Sequence, residues 1–301
     1  MSARPDIVRQ ARAAGVAILA FNIPYLPMLK PVAQAVAAQE GVAMIAVARL
    51  EWLKFASGSP AAVQAEYARW QQPGHTWLHL DHVPVIDEDG LQVDYLPVLA
   101  EAARLGYRSL MVDGSRLALE ENIHATRAAT DLAHAAGLPC EAELGAILGH
   151  EAGPLPSYED LFASGQGFTD PQEAARFVAE TGCDWLSVAA GNIHGAIAGV
   201  RKDQKKVEAR LDLERIAEIA RATGTPLVLH GGSGIRPDYV REAIRRGIAK
   251  INVGTEIRQA YEAGLRASGR VEEAQAAVYE RTAWLIGEYF GLAGIQKFIT
   301  I

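Results

Sequence analysis

Short apolar runs alternate with longer amphipathic stretches along the whole chain. Short apolar runs bounded by polar, Gly or Pro residues are typical of buried strands, and amphipathic stretches of helical period are typical of helices. The pattern predicts eight strands, at 15–21, 42–48, 76–80, 108–112, 139–143, 184–190, 226–230 and 249–253. It predicts helices between them, among them 31–39, 95–105, 121–136, 171–180, 213–223 and 237–246.

Several predicted strands are apolar on both faces, as parallel strands covered by helices are. Eight alternating units favour a closed (β/α)8 TIM barrel, with an open, doubly wound sheet as the alternative. We therefore predict one α/β domain over residues 1–301, with a C-terminal helical extension at about 256–301 in which 282–292 forms a closing amphipathic helix. Two segments interrupt the rhythm: 149–167 is rich in Gly, Pro and Ser and is predicted to be an active-site loop or lid, and 198–210 is polar and basic.

Composition and charge exclude several classes of protein. Half of the 301 residues are apolar and 22% are charged, which suits a soluble enzyme with one large core. The net charge is −7 and no basic stripe is present, so nucleic acid is not an expected partner. Cys140 and Cys183 lie in apolar runs without metal or redox spacing, which predicts buried thiols in a reducing compartment. Without a signal-like or membrane-spanning apolar segment, we expect no membrane association and a cytoplasmic location.

Polar residues follow most of the predicted strands, at the end where a barrel collects its chemistry. His82, His194 and His230 follow the third, sixth and seventh strands. Three neutral imidazoles can hold Zn²⁺ or a similar ion and leave coordination positions open, so the pattern predicts a catalytic metal site. The alternative for each is a hydrogen-bonded histidine near the core. We prefer that structural interpretation for the other histidines, which are His75, His79, His124, His134 and His150.

Glycine-rich turns follow the last two strands. Gly231, Gly232 and Ser233 come after the seventh strand, and Asn252, Gly254 and Thr255 end or follow the eighth. A barrel often binds phosphate between these two loops, because glycines let backbone N–H groups approach an anion and hydroxyls add donors. The two turns together favour a phosphate site over ordinary turn chemistry.

A metal next to a phosphate site suggests a phosphorylated hydroxyketone as substrate, polarised while an enediolate forms. A carboxylate must then move a proton. Asp81 is the best-placed candidate, and its alternative role is to orient the metal ligand His82. Asp113 and Glu143 follow or end neighbouring strands and are either an auxiliary metal site or partners of the metal ligands.

Seven motifs in order, spread from about residue 21 to 256, resemble the class II, metal-dependent fructose-bisphosphate aldolases, a family that includes the tagatose-bisphosphate aldolases. The motifs are LHLDH (78–82), MVDGS with EEN (111–115 and 120–122), EAELG (141–145), FTDP (168–171), GNIHG (191–195), LHGGSG (229–234) and KINVGTE (250–256).

The resemblance implies roles for the metal and proton-transfer residues. It implies that His82, His194 and His230 hold a catalytic zinc and that Asp113 and Glu143 bind a second or alternate metal. Asp81 matches the acid/base that handles the proton on the aldehyde-derived oxygen, and Glu151 is aligned with the glutamate that takes the C3 proton. The alignment of Glu151 with that glutamate is shifted by one residue, since the family's LGG-x-ED pattern reads LGHEA here.

The resemblance also implies a substrate site. Gly195, Gly231 and Ser233 match positions that hold the phosphate of dihydroxyacetone phosphate, with a monovalent cation, Na⁺ or K⁺, beside them. Asn252 and Thr255 match the opposite wall of that site. Asn22 matches the asparagine that ends the family's first strand. The relatives are dimers or tetramers, so a homo-oligomer is expected.

The departures from the family pattern concern the substrate's aldehyde end. Ala46 and Ala48 stand where the family has Gln and Ser, Arg49 follows them, and Val83 replaces a Gly. A DPR-like C-terminal segment of many relatives is missing. Fructose 1,6-bisphosphate is therefore one candidate substrate among several, and Arg49 is either an anion contact or an ordinary helix-start arginine.

The leading hypothesis is a zinc-dependent aldolase that reversibly cleaves a ketose 1-phosphate or 1,6-bisphosphate into dihydroxyacetone phosphate and an aldehyde. An alternative is a metal-dependent aldolase for a modified sugar acid or a non-phosphorylated hydroxyketone. Two other classes stay open: a non-catalytic barrel that binds a metal or sugar phosphate, and a metal-dependent hydrolase.

Overall fold

The computed structural model describes residues 6–145, 158–192, 209–232 and 234–300. Eight parallel strands pair in chain order, and β8 also pairs with β1, so the sheet closes into a barrel. This confirms the predicted (β/α)8 barrel and excludes the open sheet. The strands are β1 (Ile18–Asn22), β2 (Ala43–Ala48), β3 (Thr76–Pro84), β4 (Ser109–Asp113), β5 (Cys140–Leu144), β6 (Trp185–Val188), β7 (Leu227–Leu229) and β8 (Ile248–Val253).

Helices cover the outside of the barrel and bury their apolar faces against it. They are α1 (Ile7–Ala14), α2 (Leu29–Ala38), α3 (Arg49–Lys54), α4 (Pro60–Trp70), α5 (Tyr95–Leu105), α6 (Leu119–Ala135), α7 (Tyr158–Ser164), α8 (Pro171–Thr181), α9 (Leu213–Thr223), α10 (Pro237–Arg245), α11 (Thr255–Ser268) and α12 (Val271–Trp284). None of those found within the described residues has the length and apolar character needed to cross a membrane. Both cysteines are free and buried, as predicted.

The C-terminal extension differs from the prediction in its division into helices. A closing helix at 282–292 was expected, but α12 begins at Val271 and continues into a single π-helical turn, Leu285–Tyr289. The break in the extension falls at Gly269, which ends α11 with a φ of 68° that glycine adopts at no steric cost. Because the sequence of the whole extension has helical character, this glycine is the sequence feature that marks the end of α11.

Two of the family-like motifs support the strand ends. Thr169 of the FTDP motif donates its hydroxyl to the Leu144 carbonyl at 2.6 Å and accepts from the Ala189 N–H at 2.9 Å, which ties β5 to the segment after β6. Asn122 of the EEN motif donates to the backbone carbonyl of Glu143 at 3.0 Å. These buried hydrogen bonds hold the carboxyl end of β5, where two glutamates lie.

Along three strands, polar residues alternate with apolar ones, and the polar residues lie on the inner face of the barrel. The pairs are His79 and Asp81 on β3, Glu141 and Glu143 on β5, and Lys250 and Asn252 on β8, and all six residues are buried. Residues two apart in a strand lie on the same face of the sheet, so each pair points into the barrel together.

Candidate active site

Asp81 and His82 are neighbours in the chain and both lie at the barrel mouth. In a regular strand, consecutive side chains point to opposite faces, which would send one of them away from the site. The pairing of β3 with β4 shifts register between Leu80 and Val83, and His82 has a φ of 20°. This irregularity brings the His82 Nδ1 to 3.1 Å from the Asp81 Oδ2.

His82, His230 and Glu143 form the centre of the site. The His82 Nε2 lies 3.1 Å from the His230 Nδ1, and the Glu143 Oε2 lies 3.4 Å and 3.1 Å from these two nitrogens. Two groups of three residues could each hold a metal ion, because within each group the ligand atoms all lie within 4.8 Å of one another. One group is Asp81, His82 and His230, and the other is His82, Asp113 and Glu143. The predicted metal residues inside the described ranges are therefore brought together.

A second glutamate orients His230. The His230 Nε2 donates to the Glu141 Oε1 at 2.9 Å, and an ionised carboxylate can only accept. In neutral His230 the proton is thereby fixed on Nε2, and the lone pair of Nδ1 points toward His82 and Glu143. In protonated His230, Nδ1 also carries a proton and donates it to Glu143 at 3.1 Å. Asn192 adds a hydrogen bond of 3.0 Å to the His230 carbonyl.

Two acids of this cluster, Asp81 and Glu143, are held in their ionised form, whereas burial and the Glu143 charge raise the pKa of Asp113. Burial by itself would raise the pKa of Asp81, but the charge of His82, hydrogen bonds from His79 and His82, and Lys250 hold it well below its usual value. Burial also opposes ionisation of Glu143, yet hydrogen bonds from His230 and His82 hold its pKa well below the usual range.

The histidines respond in the opposite direction. Burial lowers the pKa of His82, but the Asp81 carboxylate and Glu143 raise it well above the usual value. A cluster with several carboxylates around two imidazoles favours a positive charge at its centre. This donor set of imidazole nitrogens and carboxylate oxygens fits a divalent transition ion, which would replace the protons on the facing nitrogens.

The carboxylate of Asp81 is fixed by two asparagines. Asn22, at the end of β1, donates to Oδ2 at 2.8 Å, and Asn252, on β8, donates to Oδ1 at 2.9 Å. With His82 also on Oδ2, the carboxylate has contacts from three strands. Such contacts hold the carboxylate in one orientation beside the His82 and His230 rings.

The two glycine turns lie side by side. Gly231 has a φ of 68°, and the Gly232 N–H donates to the Asn252 carbonyl at 3.3 Å, which joins the loops after β7 and β8. A β-carbon at Gly254 would lie 3.5 Å from the Asn22 β-carbon, so this loop also adjoins the end of β1. Thr255 begins α11. The backbone N–H groups at the start of a helix favour an anion.

Four predicted residues, Glu151, His194, Gly195 and Ser233, lie outside the described residues. Much of the predicted loop at 149–167 and most of the basic segment at 198–210 also lie outside them.

Sequence reasoning missed the polar residues one layer below the mouth. Glu141 and Lys250 sit inside otherwise apolar strands and were not assigned to the site. His79 was interpreted as structural, and its Nε2 lies 3.6 Å from the Asp81 Oδ1. The signal was available, because a charged residue two positions before a site residue in a buried strand faces the same interior.

The β2 side of the mouth, directly beside Asp81, carries residues that depart from the family pattern. Ala48 is paired in register with Asp81, and Arg49 begins α3 and forms an ion pair of 3.3 Å with Asp87. Glu51, which sequence reasoning also missed, accepts from the Ala48 N–H at 2.8 Å. Burial, with a contribution from Asp81, raises the pKa of Glu51 to about 8, so this carboxyl is protonated at neutral pH.

Comparisons with known proteins agree with this architecture. The family profile described as "Fructose-bisphosphate aldolase class-II" matches residues 3–291. A fructose-bisphosphate aldolase of Streptococcus pyogenes is 34% identical over 280 residues, which are 91% of this chain and 85% of that protein. The crystal structure of the YdjI aldolase from Escherichia coli K12 is 30% identical with a TM-score of 0.74, over 96% of each chain. The fructose-bisphosphate aldolase of Campylobacter jejuni is 19% identical with a TM-score of 0.71, over 96% of this chain and 94% of that one, and shows the shared fold.

A closed (β/α)8 barrel with histidines and carboxylates converging at its mouth defines a metal-dependent barrel enzyme. The chain belongs to the class II fructose-bisphosphate aldolase family. It is an aldolase, a carbon–carbon lyase, and the family is metal-dependent. The resemblance and the class of enzyme inferred from the motifs are thereby confirmed.

Proposed function

We propose that this aldolase is zinc-dependent and reversibly cleaves a ketose 1-phosphate or 1,6-bisphosphate to dihydroxyacetone phosphate and an aldehyde. The observation that carries the proposal is the placement of Asp81 between the His82 and His230 cluster and the glycine turns. A base, a metal site and an anion site are the three parts that such a cleavage needs.

His82 through Nε2 and His230 through Nδ1, with His194 as the third ligand, would hold the zinc. Asp113 and Glu143 would provide a second or alternate metal position. The bound ion supplies Lewis-acid polarisation of the ketose carbonyl and hydroxyl oxygens. Glu141 keeps His230 in the tautomer that coordination requires, since its carboxylate accepts the Nε2 proton at 2.9 Å.

Asp81 would take the proton of the C4 hydroxyl as the C3–C4 bond breaks, so that C4 becomes the aldehyde carbon. Its depressed pKa keeps it ionised, and Asn22 and Asn252 hold its two oxygens in place. Glu151 would deliver a proton to C3 in cleavage and remove it in condensation. Because every step is reversible, the same residues serve both directions.

The two glycine turns would bind the C1 phosphate. Backbone N–H groups of Gly231 and Gly254, with the hydroxyls of Ser233 and Thr255, offer donors to its oxygens. The Gly232 N–H donates to the Asn252 carbonyl and would hold the two turns together around the phosphate. Gly195 would close this site, and a monovalent cation, Na⁺ or K⁺, would balance the phosphate charge. The substrate partner is then a small sugar phosphate rather than a nucleic acid or a membrane. We further propose a cytoplasmic homo-oligomer, a dimer or tetramer, which sedimentation of the purified protein would test.

Removal of the metal tests the proposal. Chelation and the variant His230→Ala are each expected to abolish cleavage, with zinc restoring the activity of the chelated wild type only. The matched control is His124→Ala, which removes an exposed histidine of α6. Cleavage of ketose phosphates that survives chelation, or full activity in His230→Ala, would refute zinc dependence.

A modified sugar acid is a second candidate for the substrate, favoured by Arg49 at the mouth beside Ala46 and Ala48. Ketoses with and without phosphate, and with and without a terminal carboxylate, would separate the two candidates. The phosphate loops lead us to expect a strong preference for phosphorylated donors. If the folded, metal-loaded protein bound sugar phosphates but cleaved none of them, a non-catalytic barrel would be the better description.

A further inference from the structure

Lys250 is a fully buried lysine in the interior of the barrel. Its Nζ lies 2.6 Å from the Asn252 Oδ1, 2.8 Å from the Glu141 Oε2 and 3.9 Å from the Asp81 Oδ1. Taking an ammonium out of water costs several kcal/mol, and apolar residues of similar volume often replace buried ion pairs without loss of stability. The fold therefore gains little from a charge here, and its value must be sought in what it contacts.

The first contact leads to His230. Glu141 receives the ammonium on Oε2 and the His230 Nε2–H on Oε1, at 2.8 Å and 2.9 Å. Burial alone would raise the pKa of Glu141, but Lys250 and His230 lower it to about 2, so the carboxylate stays ionised, paired with the ammonium through Oε2 and accepting from His230 on Oε1. With its Nε2 proton engaged, His230 presents Nδ1 to the His82 Nε2.

The second contact leads to Asp81. A lysine ammonium has donors only, so the atom of Asn252 that faces it must be the amide oxygen. The amide NH₂ of Asn252 then points the other way and donates to the Asp81 Oδ1 at 2.9 Å. The ionised Asp81 carboxylate can only accept, so it favours the same orientation, and the ammonium holds the amide in that orientation from the other side.

We propose that Lys250 is a positioning residue, whose single ammonium fixes both the tautomer of His230 and the orientation of Asn252 and so aligns the metal ligands with Asp81. The inference rests on the proposed function, because it assigns to His230 and Asp81 the roles given above. It predicts that one substitution, two residues before Asn252 and outside the substrate site, weakens metal binding and proton transfer together.

The test is Lys250→Met, which keeps an unbranched apolar stem and removes the charge. Cobalt(II) is the probe metal, because its d–d absorption reports the ligand geometry and its affinity can be measured without substrate. We expect the affinity for Co²⁺ to fall about 10- to 100-fold, as for other groups that orient metal ligands. The d–d spectrum should change, and kcat should fall while KM for the phosphorylated substrate changes less. Lys297→Met, the same change at an exposed position, should match the wild type in every measurement.

Breaking a buried ion pair by removing one partner strongly destabilises a fold, so a second variant guards against misfolding. Lys250→Met/Glu141→Gln leaves no unpaired carboxylate and is expected to fold, with the same loss of Co²⁺ affinity and kcat. A lower melting temperature with unchanged Co²⁺ affinity, spectrum and kcat, in either variant, would overturn the role of Lys250. Wild-type protein that binds Co²⁺ in the same way but cleaves no ketose phosphate would instead overturn the proposed function, and the Co²⁺ comparison would still decide the link to His230.

Discussion

A methyl group added at Gly232 would meet the γ2 methyl of Ile251 at 2.4 Å. Carbon atoms in contact lie about 3.5–4.0 Å apart, so one of the two groups must move by about 1 Å or more. Ile251 is fully buried in β8 and β-branched, which makes its χ1 angle stiff, so the loop after β7 is the part that moves. Overpacking of this kind costs about 1–3 kcal/mol, and we expect Gly232→Ala to lower the free energy of unfolding by that amount.

The displaced loop should also bind phosphate less well. Gly232 donates to the Asn252 carbonyl at 3.3 Å, and this hydrogen bond joins the two glycine turns. A shift of about 1 Å parts the turns and moves their N–H groups away from one common anion. We therefore expect a raised KM for phosphorylated ketoses in Gly232→Ala, with a smaller change in kcat.

A double-mutant cycle isolates the contact. Ile251→Ala removes the γ2 methyl, whereas Ile251→Val shortens the side chain and keeps a methyl at that position. Gly232→Ala should therefore destabilise the Ile251→Ala background much less than the wild type or the Ile251→Val background. Urea unfolding at a fixed zinc concentration measures all six proteins. Equal costs in the three backgrounds would show that the clash with Ile251 is not what makes glycine necessary here.

Three further predictions follow from the electrostatics of the site. Acidification should release the metal, since protons compete for the imidazoles of His82 and His230, whose pKa values are raised by neighbouring carboxylates. Metal content measured after dialysis at several values between about pH 5 and pH 8 tests this, and a constant content would contradict a histidine site. Asp81→Asn should lower kcat by about 10²- to 10⁴-fold with zinc still bound, and a smaller loss would move the acid/base role elsewhere. The folded protein keeps the Glu51 proton to about pH 8, while the unfolded chain releases it near 4.5, so the free energy of unfolding should decrease as pH rises between these values, by at most about 5 kcal/mol. Urea unfolding of Glu51→Gln, which has no such proton, should show less of this decrease, and an equal decrease would assign it to other groups.

The barrel could be predicted from the sequence because its pattern is local. Each of the eight predicted strands overlaps an observed one, and the helices at 95–105 and 213–223 have the predicted bounds. The spacing of apolar residues and the position of turn residues depend only on nearby positions in the chain, so they predict individual helices and strands well. They predict poorly where one helix ends and the next begins within a segment that is helical throughout, which is why the boundary between α11 and α12 at Gly269 was not predicted.

The site could be predicted only at the strand ends. His82, His230, Asp81 and Glu143 were predicted because polar residues after buried strands gather at a barrel mouth, and the structure places them close together. Glu141 is polar near the end of its strand, and Lys250 lies within an apolar strand, but neither was given a role, because the two strands are far apart in the sequence. Only closure of the barrel and the alternation of side chains place the ammonium 2.8 Å from the carboxylate.

The adjacency of Asp81 and His82 explains why β3 departs from regular geometry. A regular strand would turn one of the two away from the mouth, so bringing both consecutive side chains to the mouth requires the register shift and the positive φ of His82. Non-glycine residues seldom adopt such a φ, and backbone strain of about 1–3 kcal/mol persists only where the surroundings hold it. Here Asn22 and Asn252 grip Asp81 on one side, and His230 and Glu143 meet His82 on the other. The peptide bond between the two residues then limits the distance between the Asp81 carboxylate and the His82 ring, and the side-chain contacts set only their directions.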